Sequence, residues 1–246
     1  MICGGTFMKL KLLGCQVFLR EMYMLCARSV HSVQIQWMPT ELHTNPQVSL
    51  RPALQAEIDK IEESDEPCDA ILLGYGLCSM GTIGLKARSI PLVIPRAHDC
   101  ISILLGSRKT YQEIFDAYHG GVYWYSPGWI EQFKTPGRGY DEQAKYMEYV
   151  EKFGEDNAEY LIELEKSWMQ HYSCAALIQW PELADPRFEE ITRDIAIKQE
   201  LEYRCITGTD TILKKLVNGE WDESFLIVQP GQKITYSGDD ELIVAK

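Results

Sequence analysis

The feature that most constrains the fold is the alternation of short apolar runs with stretches of helical periodicity. LKLLGCQVF, SVQIQWMP, CDAILLGYG, IPLVIP and GVYWYSPG read as strands, and LREMYMLCARS, LQAEIDKIEES and CISILLGSRKTYQEIFDAY as helices between them. A repeated strand–helix–strand order predicts βαβ units and a largely parallel sheet. In LQAEIDKIEES the apolar Leu54, Ile58 and Ile61 share one helical face. CDAILLGYG is nearly all apolar, as a strand covered on both faces must be.

From about residue 140 the texture changes. The stretch from Tyr140 to Tyr172 is a long acidic helical region, with a break expected at Gly154, where GEDNA offers a fresh cap. CAALIQW, LEYRCITG and FLIVQPG then read as three strands, with FEEITRDIAIKQE and DTILKKLVNG as the intervening helices. Asp210 is an expected N-cap and Gly219 an expected C-terminal stop. The expected fold class is α/β with mostly parallel sheets. It comprises two Rossmann-like lobes, residues 1–120 and 121–246, and a cleft at the strand carboxyl ends. A single continuous doubly wound sheet is the competing architecture.

Charge excludes one class of partner. With 36 acidic and 24 basic residues the formal charge is -12, and the basic residues are dispersed. Nothing supplies the clustered Lys and Arg that nucleic acid requires. No run approaches the roughly 20 apolar residues of a membrane span. Leu-Leu-Gly before Cys15 imitates a lipoprotein cleavage site, but the apolar stretch ahead of it is far shorter than the 7–15 or so residues of a signal core. The eight cysteines, at positions 3, 15, 26, 68, 78, 100, 174 and 205, show no disulfide-framework spacing. The expectation is a cytoplasmic protein with reduced thiols.

Ligands of open parallel sheets bind beyond the carboxyl ends of the strands. Cys15 lies at the end of the first strand, Cys78 just past the third, and His98 and Cys100 just past the fourth. If the strands run in the common 2-1-3-4 order, these four residues converge from three loops. Such a thiol-rich set suits zinc or another soft metal. No CxxC pair or HExxH motif accompanies it, and free cysteine is otherwise a small buried hydrophobe. That plainer reading is assigned to Cys26, Cys68 and Cys205, and Cys174 is the reserve ligand.

Around these residues, Arg96 is placed to grip an anionic group of a substrate. Asp99 either caps the helix that begins at Cys100, orients His98, or takes part in catalysis. The dipole of that helix should favour a Cys100 thiolate. GYGLCSMGTIG is neither GxGxxG nor a Walker loop. Gly76 and Gly81 let it turn or approach a ligand, with a tight turn as the equal alternative. Tyr123 and Trp129, with Tyr125, offer an aromatic wall or simply core. Arg20 and Glu21 line the same pocket or lie on a helix surface. No GxSxG elbow is present.

The segments GYGLCSMGTIGL, LVIPRAHDCISILLGS, YWYSPGW, FGEDNAEYL and GEWDESFLIVQPGQKI together resemble the domain-of-unknown-function family 1638 along nearly the whole chain. The family's YGLC and RxHDCI elements match Cys78, Arg96, His98, Asp99 and Cys100, and Cys15 with Arg20–Glu21 fits its opening. The resemblance implies an origin in anaerobic bacteria and methanogens and an association with corrinoid methyltransferases. The expectation is therefore a zinc enzyme acting on a small molecule, with thiol or methyl transfer as its chemistry. A homo-oligomer or a corrinoid protein is the expected partner. The alternatives are a non-catalytic carrier of a corrinoid or other small molecule, and an iron–sulfur redox protein.

Overall fold

A computed structural model describes residues 6–132, 142–169 and 171–246. Cys3 and the expected helix start at 140–141 lie outside them. The structure is mixed α/β, and the chain divides into two compact units, Met1–Arg108 with Gly208–Lys246, and Lys109–Thr207. The sequence-based boundary at 120/121 lies within the second of these.

The first unit is built on a five-stranded sheet. Its strands are β1 (Lys9–Cys15), β2 (Ser32–Met38), β3 (Ala70–Gly74), β4 (Leu92–Pro95) and β8 (Phe225–Val228), in the order β2-β1-β3-β4-β8. The first four run parallel, in register Leu12↔Ile35, Leu12↔Leu72 and Leu72↔Val93. β3, at the centre, is buried at every residue, whereas β2, at the edge, alternates exposed and half-buried positions as one solvated face requires. α1 (Leu19–Cys26) follows β1 after a 3-10 turn. α2 (Leu50–Glu63) links β2 to β3 and buries Leu54, Ile58 and Ile61, the face read from the sequence.

FLIVQPG does form a strand, but not beside the other late strands. It pairs antiparallel with β4, Leu92 against Val228 and Pro95 against Phe225. A four-residue apolar run carries no mark of the sheet it will join, so only tertiary pairing assigns it. Beyond it, β9 (Ile234–Tyr236) and β10 (Ile243–Ala245) form a small antiparallel ribbon that the sequence reading does not contain. The expected helix over 100–118 is two helices, α3 (Cys100–Leu105) and α4 (Arg108–Ala117). Gly106, at φ 69° in the left-handed region, ends the first of them.

The second unit has a three-stranded parallel sheet of β5 (Val122–Tyr125), β6 (Cys174–Gln179) and β7 (Glu202–Thr207), in that order. α5 (Pro127–Gln132) starts at the proline that ends β5. The acidic region breaks at Gly154, φ 83°, into α6 (Glu142–Phe153) and α7 (Glu155–Met169). α8 (Pro186–Lys198) crosses from β6 to β7, capped by the Asp185 carboxylate on the Arg187 N–H. α9 (Thr211–Val217) returns the chain to the first unit. Among the described residues no helix is long and apolar enough to cross a membrane.

Candidate functional site

The carboxyl ends of β1, β3 and β4 stand side by side, and the strand order reverses between β1 and β3. In sheets of this kind that point is where ligands enter. β1 ends in Cys15. β3 runs on through Tyr75, Gly76, Leu77 and Cys78, and β4 through Arg96, Ala97, His98 and Asp99 into α3.

The second and third of these loops are zipped together. The Leu77 N–H donates to the Ala97 carbonyl at 2.8 Å and the Cys78 N–H to the His98 carbonyl at 2.9 Å. Gly76 marks their closest approach: a Cβ there would stand 2.6 Å from the Ala97 oxygen and 2.9 Å from the Asp99 nitrogen. Any side chain would force the two loops apart. Gly81 is likewise packed, against Pro46 and Leu50. Backbone contact thus accounts for both glycines.

Three successive residues after this zipper, Cys78, Ser79 and Met80, adopt left-handed backbone angles, φ 46°, 52° and 69°. Each costs about 1–2 kcal/mol for an L-residue, so the run persists only because its surroundings hold it. The buried Thr82 hydroxyl donates to the Gly76 carbonyl at 3.1 Å, and the Arg51 guanidinium donates to the Met80 carbonyl at 3.0 Å. Strain of this kind concentrates at functional sites.

The thiols meet here electrostatically. Burial raises the Cys15 thiol to about 11, against smaller lowering contributions from the Val17 backbone and the Tyr75 hydroxyl. Burial pushes Cys78 up further, and the Cys15 and Asp99 charges add to it. Cys100 is pushed well up by burial, then by the Asp99 carboxylate, then by Cys78 and Cys15. The expected stabilisation of a Cys100 thiolate by the α3 dipole is therefore reversed, because Asp99 sets a negative charge beside it. In the metal-free chain these thiols are protonated at neutral pH.

Tyr75 lies among them, 1% exposed, its hydroxyl facing Cys15. Stacked on its ring, centroids 5.9 Å apart and 19° from parallel, is His43. This histidine lies in the 3-10 turn Thr40–Thr44 that follows β2. His43 Nδ1 is 3.2 Å from the Thr40 carbonyl, which can only accept, so Nδ1 carries the proton and Nε2 the lone pair. Burial lowers its pKa despite that bond, which keeps the ring neutral. The sequence reading passes over both Tyr75 and His43, although His43 follows a strand carboxyl end as Cys15 and Cys78 do.

The other residues singled out from sequence lie as follows. His98 is exposed, because α3 begins two residues later and turns Cys100 inward without it. Asp99 is the N-cap of α3, accepting from the Ser102 N–H at 2.9 Å and the Ser102 hydroxyl at 3.0 Å. Arg96 donates to the carbonyls of Phe225, Glu241 and Ile243 and pairs with the Glu241 carboxylate at 2.9 Å. Its guanidinium is engaged in tying β8 and β10 to the end of β4. Arg96→Ala should therefore destabilise the fold by about 2–4 kcal/mol, since charged hydrogen bonds contribute about 1.5–3 kcal/mol each. Urea unfolding measures this, and an unchanged midpoint would leave the residue free for an anion.

Tyr123 and Trp129 belong to the second unit, where they pack against a core of Tyr125, Ile130, Leu177, Phe188 and Ile195. Cys174 is fully buried in β6, in that unit's other core cluster. Cys26 and Cys68 are partly buried, but Cys205 is exposed, contrary to its expected burial. Glu21 is buried on α1. Among the described residues, no group of three or more His, Cys, Asp and Glu side chains is placed to hold a metal ion. The three thiols converge but do not close into a ligand set.

A family model described as "Protein of unknown function (DUF1638)" matches residues 37–217. That span includes His43, Tyr75, Cys78 and Cys100, and leaves out Cys15. No curated protein and no solved structure matches the chain.

Proposed function

The chain belongs to the DUF1638 family, and we propose that it is an enzyme acting on a small molecule through the thiols of Cys15, Cys78 and Cys100, with a zinc ion as their partner. The observation that carries this reading is the meeting of three thiols from three separate loops at the strand-order reversal, each raised by burial and Cys78 and Cys100 also by neighbouring thiols. Thiols that resist ionising next to one another are those whose deprotonation a cation would most favour. Because they do not form a closed ligand set, loading requires their side chains to turn from their present rotamers. His43, with its neutral Nε2, is the imidazole of this site in place of the exposed His98.

Zinc with an open position binds and activates a substrate thiol. Thiol or methyl transfer, with a corrinoid or corrinoid protein as co-substrate, is the matching reaction class and follows from the family resemblance alone. The reading extends to two Rossmann-like lobes, of which the first carries the chemistry in a cleft at its own strand carboxyl ends. A cytoplasmic location belongs to the same reading.

The absence of a closed ligand set among the described residues favours one alternative: a metal-free binding protein whose protonated thiols line a ligand site. Elemental analysis of anaerobically purified protein, with an absorbance scan, separates the two. Zinc near one per chain in the wild type and in His98→Ala, but lost in Cys78→Ala and Cys100→Ala, is the expected result. Iron with visible colour would replace zinc by a cluster. No metal at all would leave the binding protein.

A further inference from the structure

We propose that the first unit carries a second ligand site, an anion pocket for the phosphate group of a small molecule, built on Arg51 and Lys86. A cavity of about 500 Å3 is lined by Gln47, Arg51, Pro52, Gln55, Gly84, Lys86 and Arg88. Three of these seven residues are cationic and none is acidic, in a chain whose acids outnumber its bases by 36 to 24. The volume falls within the range of small-molecule sites, about 300–1,000 Å3.

The cations differ in what already satisfies them. Arg88 is held by the Asp59 carboxylate at 2.6 Å. Arg51 and Lys86 have no carboxylate partner among the described residues. Arg51 is half-buried, and among the described residues its guanidinium makes one hydrogen bond, from Nη2 to the Met80 carbonyl. Its Nε is buried with no acceptor among the described residues. A partly buried, unpaired guanidinium is costly unless an anion reaches it. Its planar fork suits two oxygens of one phosphate, and Lys86 adds a point charge.

The fold presents these groups to one space. Arg51 and Pro52 lie in the first turn of α2, a 14-residue helix whose positive end adds to the field. Gln55, one turn on, fixes the opposite wall by bonding both the N–H and the carbonyl of Lys86, at 2.9 and 3.3 Å. Gly84, φ 92°, leaves open the face beside Arg51, where a Cβ would stand 3.6 Å from its Cδ. Arg51 is also the residue that grips the left-handed run at Met80, so this pocket adjoins the back of the turn carrying Cys78.

The test is calorimetric titration of the full chain at low ionic strength with inorganic phosphate and, separately, with glycerol phosphate. Saturable binding is expected, with the ester binding more tightly because the cavity exceeds a bare ion. Equal affinity for the two would still support the site, with the phosphate group alone as its ligand. Arg51→Gln should weaken binding about tenfold or more, the loss of a charged hydrogen-bond pair. Lys86→Gln should weaken it several-fold. Lys109→Gln, exposed and elsewhere in the chain, should leave it unchanged. The exposed Lys86 keeps the test decisive if Arg51→Gln fails to fold. Cys78→Ala should retain binding, which separates this site from the thiol chemistry. No saturable binding at millimolar concentrations, or binding undiminished in both pocket variants, overturns the proposal.

Discussion

Between pH 9 and 11 the metal-free chain should lose a few kcal/mol of stability. In the unfolded chain the thiols of Cys15, Cys78 and Cys100 release their protons near the ordinary value of 9.0, whereas Cys15 in the folded chain holds its proton to about 11 and the other two are also pushed up. Over this window the folded state binds more protons than the unfolded state. The stabilisation is therefore complete below pH 9 and is lost as pH rises through the folded values. Each such thiol contributes about 1.4 kcal/mol per pH unit. Cys15 alone, over two pH units, accounts for about 3 kcal/mol against the roughly 5–15 kcal/mol of an ordinary domain, and the other two thiols add a loss of the same sign. Urea midpoints at pH 7, 9, 10 and 11 give the profile. Cys26, raised to about 12 by burial, adds a slope of the same sign. The share of the site is the slope removed by Cys15→Ala and Cys78→Ala. Zinc-loaded protein should behave in the opposite sense: its thiols are already thiolates, and stability falls on the acid side as protons compete for them. A flat alkaline profile in metal-free protein would show that the buried thiols are not held protonated.

The second large effect is expected from one methyl group. Gly76→Ala sets a Cβ 2.6 Å from a carbonyl oxygen and 2.9 Å from a backbone nitrogen, and neither belongs to a side chain that could swing away. Relief requires separating the loops, which breaks the Leu77–Ala97 and Cys78–His98 hydrogen bonds. Overpacking alone costs about 1–3 kcal/mol and the two bonds about 1 kcal/mol each, so a loss of about 3–5 kcal/mol is expected. For a chain of this size that lowers Tm by about 10 °C. The same change should increase the rate at which Cys78 is alkylated in the folded protein. A variant with unaltered Tm would mean that the loops are not held as tightly as the contacts indicate.

The parallel sheet follows from local pattern, and the convergence of Cys15, Cys78 and Cys100 from one rule about strand ends once the common 2-1-3-4 order, which the sheet has, is assumed. The break at Gly154 and the cap by Asp99 follow from single-residue chemistry. What escaped the sequence is of another kind. His43 reaches the site by stacking on Tyr75, a contact between segments about thirty residues apart with no motif to announce it. Arg96 looks like an anion grip because a guanidinium at a strand end can turn either way, and only the late return of β8 and β10 shows that it turns to them. Arg51 is one cation among many until the loop from Gly81 to Arg88 folds back against its helix.

The antiparallel return of β8 also bears on how the chain is made. Its partner β4 ends at Pro95, and the strand that covers β4 begins at Phe225. During synthesis the entire second unit, Lys109–Thr207, emerges before that cover exists. For this interval Leu92–Pro95 is a bare apolar sheet edge with its hydrogen-bonding groups open, the kind of edge through which nascent chains associate. The second unit can fold as soon as it has left the ribosome, while the first must wait for Phe225–Val228. A chain terminated early would thus be lost to aggregation at β4 with its thiol loops already complete.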